Sequence, residues 1–351
     1  MFLSGLELSK LYYEEVVSRL LQDKVPGVPY SAALIGTGSE VLGFDTEMSR
    51  DHDWGPRLQI LLNSSDSDTH IAKFSEALRC ALPATFRGFE TKFATTTNAE
   101  HRHHVEVLTC RQFFLNYLDY DLDNKLTSLD WLGFPQQRLR GVTAGAIFRD
   151  EVGLQAIRNR FSFYPHDVWL YLLSCAWRRI GQEEHLAGRA GQLGDQLGSS
   201  LIFSRLARDL MRICFLMERQ YAPYPKWFGT AFSKLACASK LSSPLVTAFQ
   251  APRWQDREDA LVAAYALVIE LHNALGITER ICPQAKSFFG RPYRVIAGEA
   301  IADALLEAIT DTEIKKLFGN PFGSIDLVSD NTDFLDSECS RRNFMKLLTE
   351  R

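Results

Sequence analysis

No stretch of this chain approaches the ~20 consecutive apolar residues that a membrane span needs, so no membrane-spanning helix is expected. The seven cysteines (Cys80, Cys110, Cys175, Cys214, Cys237, Cys282 and Cys339) are odd in number and include no CxxC pair. That excludes a disulfide framework and a cysteine zinc site, and it fits buried reduced thiols. A basic surplus is also missing: the formal net charge is -4, whereas a dedicated nucleic-acid binder usually carries positive excess. There is no internal repeat and no low-complexity segment. The segment MFLSGLELSKLYYEEVV has its apolar residues interrupted by Glu7, Lys10, Glu14 and Glu15, unlike a signal or transit peptide. A cytoplasmic location is expected by elimination.

What remains is an ordinary globular composition over 351 residues. At about 100–200 residues per domain this predicts two domains, each long enough to bury a core. Residues 6–22 carry Leu8, Leu11, Tyr12, Val16 and Leu20 at helical spacing, and the helix is expected to stop before Pro26-Gly27. Apolar runs at 30–36 and 57–62 read as strands, 70–82 as a helix, and 103–109 as a further strand; 86–93 alternates weakly. After a turn-rich passage at 119–145 the pattern turns helical, at 165–180, 199–219, 226–238, 254–275 and 297–317. The tail at 320–338 is rich in Gly, Asp, Ser and Asn and reads as a surface loop. The expected class is α+β: a small mixed-sheet domain over 1–125, followed by a mainly helical bundle domain over 126–351.

The informative stretch is GTGSEVLGFDTEMSRDHDWGPRLQILL. A strand delivers the chain into Gly36-Thr37-Gly38-Ser39, where glycines permit a sharp turn and close approach of an anion. Backbone N–H groups and the Ser39 hydroxyl can then donate to phosphate oxygens. Asp51 and Asp53 follow on the lead into the second strand. If that segment is extended, both carboxylates face one side and His52 the other. Two convergent carboxylates beside a phosphate cradle suit magnesium, a hard ion held by carboxylates and substrate phosphates.

This arrangement resembles the nucleotidyltransferase superfamily that includes DNA polymerase beta and kanamycin nucleotidyltransferase. Its pattern is an apolar strand, Gly-Ser, about ten residues, then Asp-hydrophobic-Asp/Glu. Here Leu34-Ile35-Gly36 and Gly38-Ser39 are followed, after eleven residues, by Asp51-His52-Asp53, and His52 is the departure. The longer strings GFDTEMSRDHDWGPR, RDLMRICFLMERQYAPYPKWFGTAF and GSIDLVSDNTDF look like an uncharacterised bacterial family, a domain of unknown function, number 4037. The superfamily resemblance implies a third carboxylate on a later strand. Glu106 in HHVEVLT is the candidate and Glu90 the runner-up.

The resemblance further implies a magnesium-dependent transferase that moves a nucleotide from ATP or another NTP to an acceptor, with pyrophosphate released. Asp51, Asp53 and Glu106 would be the metal and catalytic residues; Gly38, Ser39 and Arg50 would hold phosphates. Lys226, between Pro225 and Trp227 in a constrained turn, is a further candidate phosphate contact from the helical half. The charge balance favours a small-molecule acceptor over a polynucleotide; a protein or tRNA end stays an alternative. A second function class is a catalytically silent nucleotide-binding regulator, against which the retained Asp51 and Asp53 argue. A dinucleotide site is disfavoured because Val41 stands where GxGxxG needs its third glycine. Zinc is disfavoured because, of His101, His103, His104 and Glu106, only His104 and Glu106 share a strand face.

Overall fold

A computed structural model of the chain describes residues 2–51, 53–63, 68–94, 100–319, 321–337 and 339–349. The class is the expected one: α+β, with a small mixed sheet and a mainly helical C-terminal region. The chain divides into two compact units. One comprises Met1–Lys125 with Gln137–Ser162, the other Leu126–Gln136 with Phe163–Arg351. Among the described residues no helix is long and apolar enough to cross a membrane.

The first unit opens with α1 (Gly5–Tyr12), a π turn at Tyr13–Val17 and α2 (Ser18–Lys24), which together form the amphipathic helix expected over 6–22. The Ser4 hydroxyl caps it by accepting from the Glu7 N–H at 3.3 Å. Then come β1 (Ser31–Leu34), a 3₁₀ turn at Glu47–Asp51, β2 (Arg57–Leu62) and α3 (Asp68–Ala81). Three two-residue strands follow, β3 (Thr85–Phe86), β4 (Phe89–Glu90) and β5 (Lys92–Phe93), in the weakly alternating stretch, and then β6 (Arg102–Thr109). The five-stranded sheet has the order β5-β6-β2-β1-β7, where β7 is Ala146–Asp150. β1 is antiparallel to β2 and β7, whereas β2 is parallel to β6. A parallel pair requires a crossover, and α3 supplies it.

Alternation along β2 decides which face meets the core. Leu58, Ile60 and Leu62 join Val105 of β6 and Leu8, Tyr12, Val17, Phe74 and Leu78 of the helices in one buried cluster. Arg57 and Gln59 therefore point to the other face. Their in-register partners there are His104 and Glu106.

Several elements of this unit left no periodic signal. α4 (Cys110–Leu118) starts at a capping box made by Thr109 and Gln112. α6 (Gln136–Thr143) is short and polar, with only Leu139, Gly141 and Val142 buried. β7 adds at a sheet edge with no residue fully buried, so it lacks the alternation of a half-buried strand. α7 (Leu154–Asn159) spans fewer than two turns.

The second unit holds α5 (Ser128–Gly133), α8 (His166–Glu183), α9 (Leu186–Gln192), α10 (Gln196–Met217), α11 (Pro225–Phe232), α12 (Ala238–Gln250) and α13 (Trp254–Ala274). A small hairpin, β8 (Lys286–Ser287) and β9 (Arg294–Val295), precedes α14 (Gly298–Glu307) and α15 (Thr312–Lys315). The expected helix at 226–238 stops at Phe232, and the one at 297–317 is broken between α14 and α15. α12 carries Pro244 in its interior, a residue that reads as a breaker in sequence. The tail forms short helices α16 (Ile325–Val328) and α17 (Thr332–Asp336), then α18 (Ser340–Thr349). α8 is buried without interruption from Val168 to Trp177 and packs on α10 and α14. Its two tryptophans satisfy their N–H groups inside the core: Trp169 donates to the Leu216 carbonyl at 2.8 Å and Trp177 to His272 Nδ1 at 3.3 Å.

Glu184, just past α8, is a buried carboxylate that accepts from the N–H groups of Ile296 at 2.6 Å and Gly298 at 3.2 Å. Burial outweighs those bonds and pushes its pKa up from 4.5 to about 7. A folded pKa above the unfolded one means that the folded state binds more protons. The contribution is complete below pH ~4.5 and is lost as pH rises through ~7. The two N–H groups use different carboxylate oxygens, so Glu184→Gln keeps an acceptor for only one of them, but it does not titrate. We expect the parent's stability to fall by about 3 kcal/mol relative to this variant between pH 4.5 and 8, in denaturant titrations at several pH values. A constant difference across that range would remove Glu184 as the cause.

Candidate active site at the glycine turn after the first strand

β1 ends at Leu34 and the chain enters a turn with Gly36 at φ 90° and Gly38 at φ 136°. The turn is fixed from three sides. The Gly36 N–H donates to the Gly141 carbonyl at 2.9 Å, and a Cβ at Gly141 would run into the Gly36 carbonyl and the Tyr117 hydroxyl. Ile35 continues the β1 pairing through the Gln59 side chain, which accepts from its N–H and donates to its carbonyl, both at 3.2 Å. Arg57 reaches up from the first position of β2, donating from Nε to Glu40 at 2.6 Å and from Nη2 to the Thr37 carbonyl.

These bonds set the direction of the remaining amides. A trans peptide places N–H opposite C=O. With the Thr37 carbonyl held by Arg57, the Gly38 N–H points away from it. The Gly38 carbonyl accepts from Leu42 at 3.3 Å, so the Ser39 N–H points away from the loop in turn. Among the described residues the N–H groups of Thr37, Gly38 and Ser39 have no acceptor. Three consecutive unpaired N–H groups, one of them on a glycine with positive φ, are donors open to an anion. The space on the other side of Gly38 is already filled: a Cβ there would meet the Arg57 guanidinium and the Glu40 carboxylate. Gly38 is thus required by packing as well as by φ, and Gly38→Val would disturb the fold of the loop itself.

The second half of the loop departs from the extended form expected of it. Asp51 closes the 3₁₀ turn Glu47–Asp51, and Asp53 has φ 53°, in the left-handed region. Regular strand begins only at Arg57. The rule that places residues i and i+2 on one side of a strand therefore does not apply to this pair. The Asp51 side chain and His52 lie outside the described residues. Asp53 is half-buried. The loop is held to α1 by Asp45, which accepts from the Gly5 N–H at 2.7 Å and from Trp54 Nε1 at 3.1 Å. Arg50 is exposed, and its guanidinium lies 5.1 Å, 5.2 Å and 5.3 Å from the ring centres of Phe2, Trp54 and Phe89. Such stacking uses its faces and leaves its N–H edge for an anion.

Glu106 is exposed on β6, in register with Gln59, on the face opposite the core. Gln59 in turn pairs with Ala33 and binds Ile35. Glu106 thus stands about 10 Å, or two strand spacings, from the strand that delivers the turn. Glu90 lies on the two-stranded β3–β4 ribbon, outside that sheet. His104 is engaged otherwise: its ring stacks on Phe93 at 3.9 Å and its Nε2 pairs with the Phe93 carbonyl at 2.8 Å. Burial lowers its pKa, and that of His103, which favours the neutral form of both rings. Among the described residues no group of three or more His, Cys, Asp or Glu side chains could hold a metal ion. Lys226 belongs to the second unit, exposed in the first turn of α11, its ammonium 5.0 Å from the Trp227 ring centre.

Sequence reasoning missed Glu40, Gln59 and Arg57. The signal for the last two was present: polar residues at alternate positions of an apolar strand mark its second face.

Compared with known proteins, residues 131–228 match a family described as a domain of unknown function (DUF4037). The matched segment runs from α5 to α11 and does not include the glycine turn. A search of curated proteins finds no match.

Proposed function

We propose that the chain is a magnesium-dependent nucleotidyltransferase that moves a nucleotide, AMP from ATP in the simplest case, to a small-molecule acceptor. The observation that carries this reading is the trio of unpaired N–H groups at Thr37, Gly38 and Ser39, held open by Arg57 at the end of β1. Phosphate oxygens would accept from those amides and from the Ser39 hydroxyl, and Arg50 would add its N–H edge. The chain between Glu40 and Arg57 carries five acidic residues against two arginines. A polyanion would be repelled there without a cation to bridge it. Asp51, Asp53 and Glu106 supply only carboxylate oxygens, the donor type that suits a hard ion such as magnesium. When bound, the ion would neutralise charge on the reacting phosphate. The bond changes are simple: an acceptor hydroxyl oxygen loses its proton to solvent and forms a bond to the α-phosphorus, the bond from that phosphorus to the α–β bridging oxygen breaks, and pyrophosphate leaves.

Titration of ATP into the protein with and without magnesium tests the reading. Binding should be saturable and magnesium-dependent. Ser39→Ala should weaken it by about 0.5–1.5 kcal/mol, one ordinary hydrogen bond. Magnesium-dependent binding with no pyrophosphate release from any acceptor in cell extract would favour a silent nucleotide-binding regulator. No binding at all would remove both readings.

A further inference from the structure

The second unit contains a cavity of about 340 Å³ that nucleotidyl transfer at the glycine turn does not use. One wall is cationic: Arg178 and Arg179 from α8 and Arg205 from α10. The lining also includes Glu183 and the apolar Pro321, Phe322 and Leu327, with Phe322 42% exposed. The volume lies within the ~300–1,000 Å³ range of small-molecule sites.

The three arginines are held differently. Arg179 is anchored, donating from Nε to the buried Asp209 at 2.8 Å and from Nη1 to the Leu327 carbonyl at 2.9 Å. Arg178 pairs with Asp303, which is 63% exposed, and Arg205 with Glu183, which is 14% exposed. With its carboxylate largely in solvent, the Arg178–Asp303 pair is weak and readily exchanged for a better anion. A guanidinium carries five N–H donors in a fork that fits phosphate or carboxylate. Arg178 and Arg205 each spend one donor nitrogen on protein.

We propose that this cavity binds a small ligand in which an oxyanion, phosphate or carboxylate, is joined to a flat apolar body. The anion would sit against Arg178 and Arg205, and the body against Phe322. The inference is independent of the nucleotidyltransferase reading.

Calorimetric titrations of the full chain with phenyl phosphate, benzoate, inorganic phosphate and phenol test it. Phenyl phosphate or benzoate should saturate, whichever anion the ligand carries, and bind more tightly than inorganic phosphate or phenol. Arg178→Gln should weaken the better probe about tenfold, as expected for one charge-assisted bond. Asp303→Asn removes the competing carboxylate and should tighten binding, a gain that misfolding cannot produce. Phe322→Ala should weaken phenyl phosphate but not inorganic phosphate. The proposal is overturned if neither aromatic probe saturates, or if Arg178→Gln and Asp303→Asn leave the affinity unchanged. It is also overturned if Ser39→Ala abolishes the binding, which would place the anion at the glycine turn.

Discussion

Replacing Asp51 and Asp53 together by Asn is expected to lower nucleotide transfer by about 10³-fold or more, because the metal's contribution is worth several kcal/mol. Asn is the appropriate probe for this loop. Asp53 has φ 53°, a conformation that Asn tolerates as well as Asp does. The double variant therefore removes two negative charges and keeps the backbone. Its thermal stability should match that of the parent, while magnesium dependence of ATP binding disappears. Transfer at near the parent rate would show that these carboxylates are not the metal site, whatever else binds at the turn.

The second large effect concerns Arg57. Glu40 is 3% exposed, and among the described residues its one ion pair is with Arg57, at 2.5 Å. Arg57→Ala would leave that carboxylate buried and unpaired, which costs about 3–5 kcal/mol. It would also release the Thr37 carbonyl, so the Gly38 amide would lose its fixed direction and ATP binding should fall with stability. Adding Glu40→Gln to Arg57→Ala removes the orphaned charge. The double variant should recover much of the stability but not the ATP affinity, because the carbonyl remains unheld. Equilibrium unfolding and ATP titration of the two variants separate the effects. A stability loss below 1 kcal/mol in Arg57→Ala would contradict the role assigned to the pair.

The sequence announces the frame of this site and conceals its supports. β2 was legible as a short apolar run bounded by turn residues, and β6 as Val105 and Val107 set between polar neighbours. The glycine turn was legible because Gly36 and Gly38 follow an apolar run directly. Arg57 and Gln59 could have been read from their alternation with Leu58 and Ile60, but Glu40 acts across seventeen residues of loop and only the fold brings it to Arg57. The lead into β2 was misjudged for a local reason: Gly55 and Pro56 delay the strand to Arg57 and leave Asp53 in a left-handed bend. α6 escaped because its role lies in Gly141, which lets two backbones touch and contributes no periodic apolar face. The helical unit was easier, since long helices such as α8 and α10 repeat their buried positions many times.

The central claim is that the bond broken lies at the α-phosphorus. The direct measurement is label partition: the full chain, magnesium and cell extract are incubated with ATP labelled either at the α- or at the γ-phosphate. Transfer of a nucleotide predicts that the α label becomes attached to an acceptor while the γ label appears in pyrophosphate. Attachment of the γ label to the acceptor, with ADP as the by-product, would contradict the account and make the chain a phosphotransferase instead.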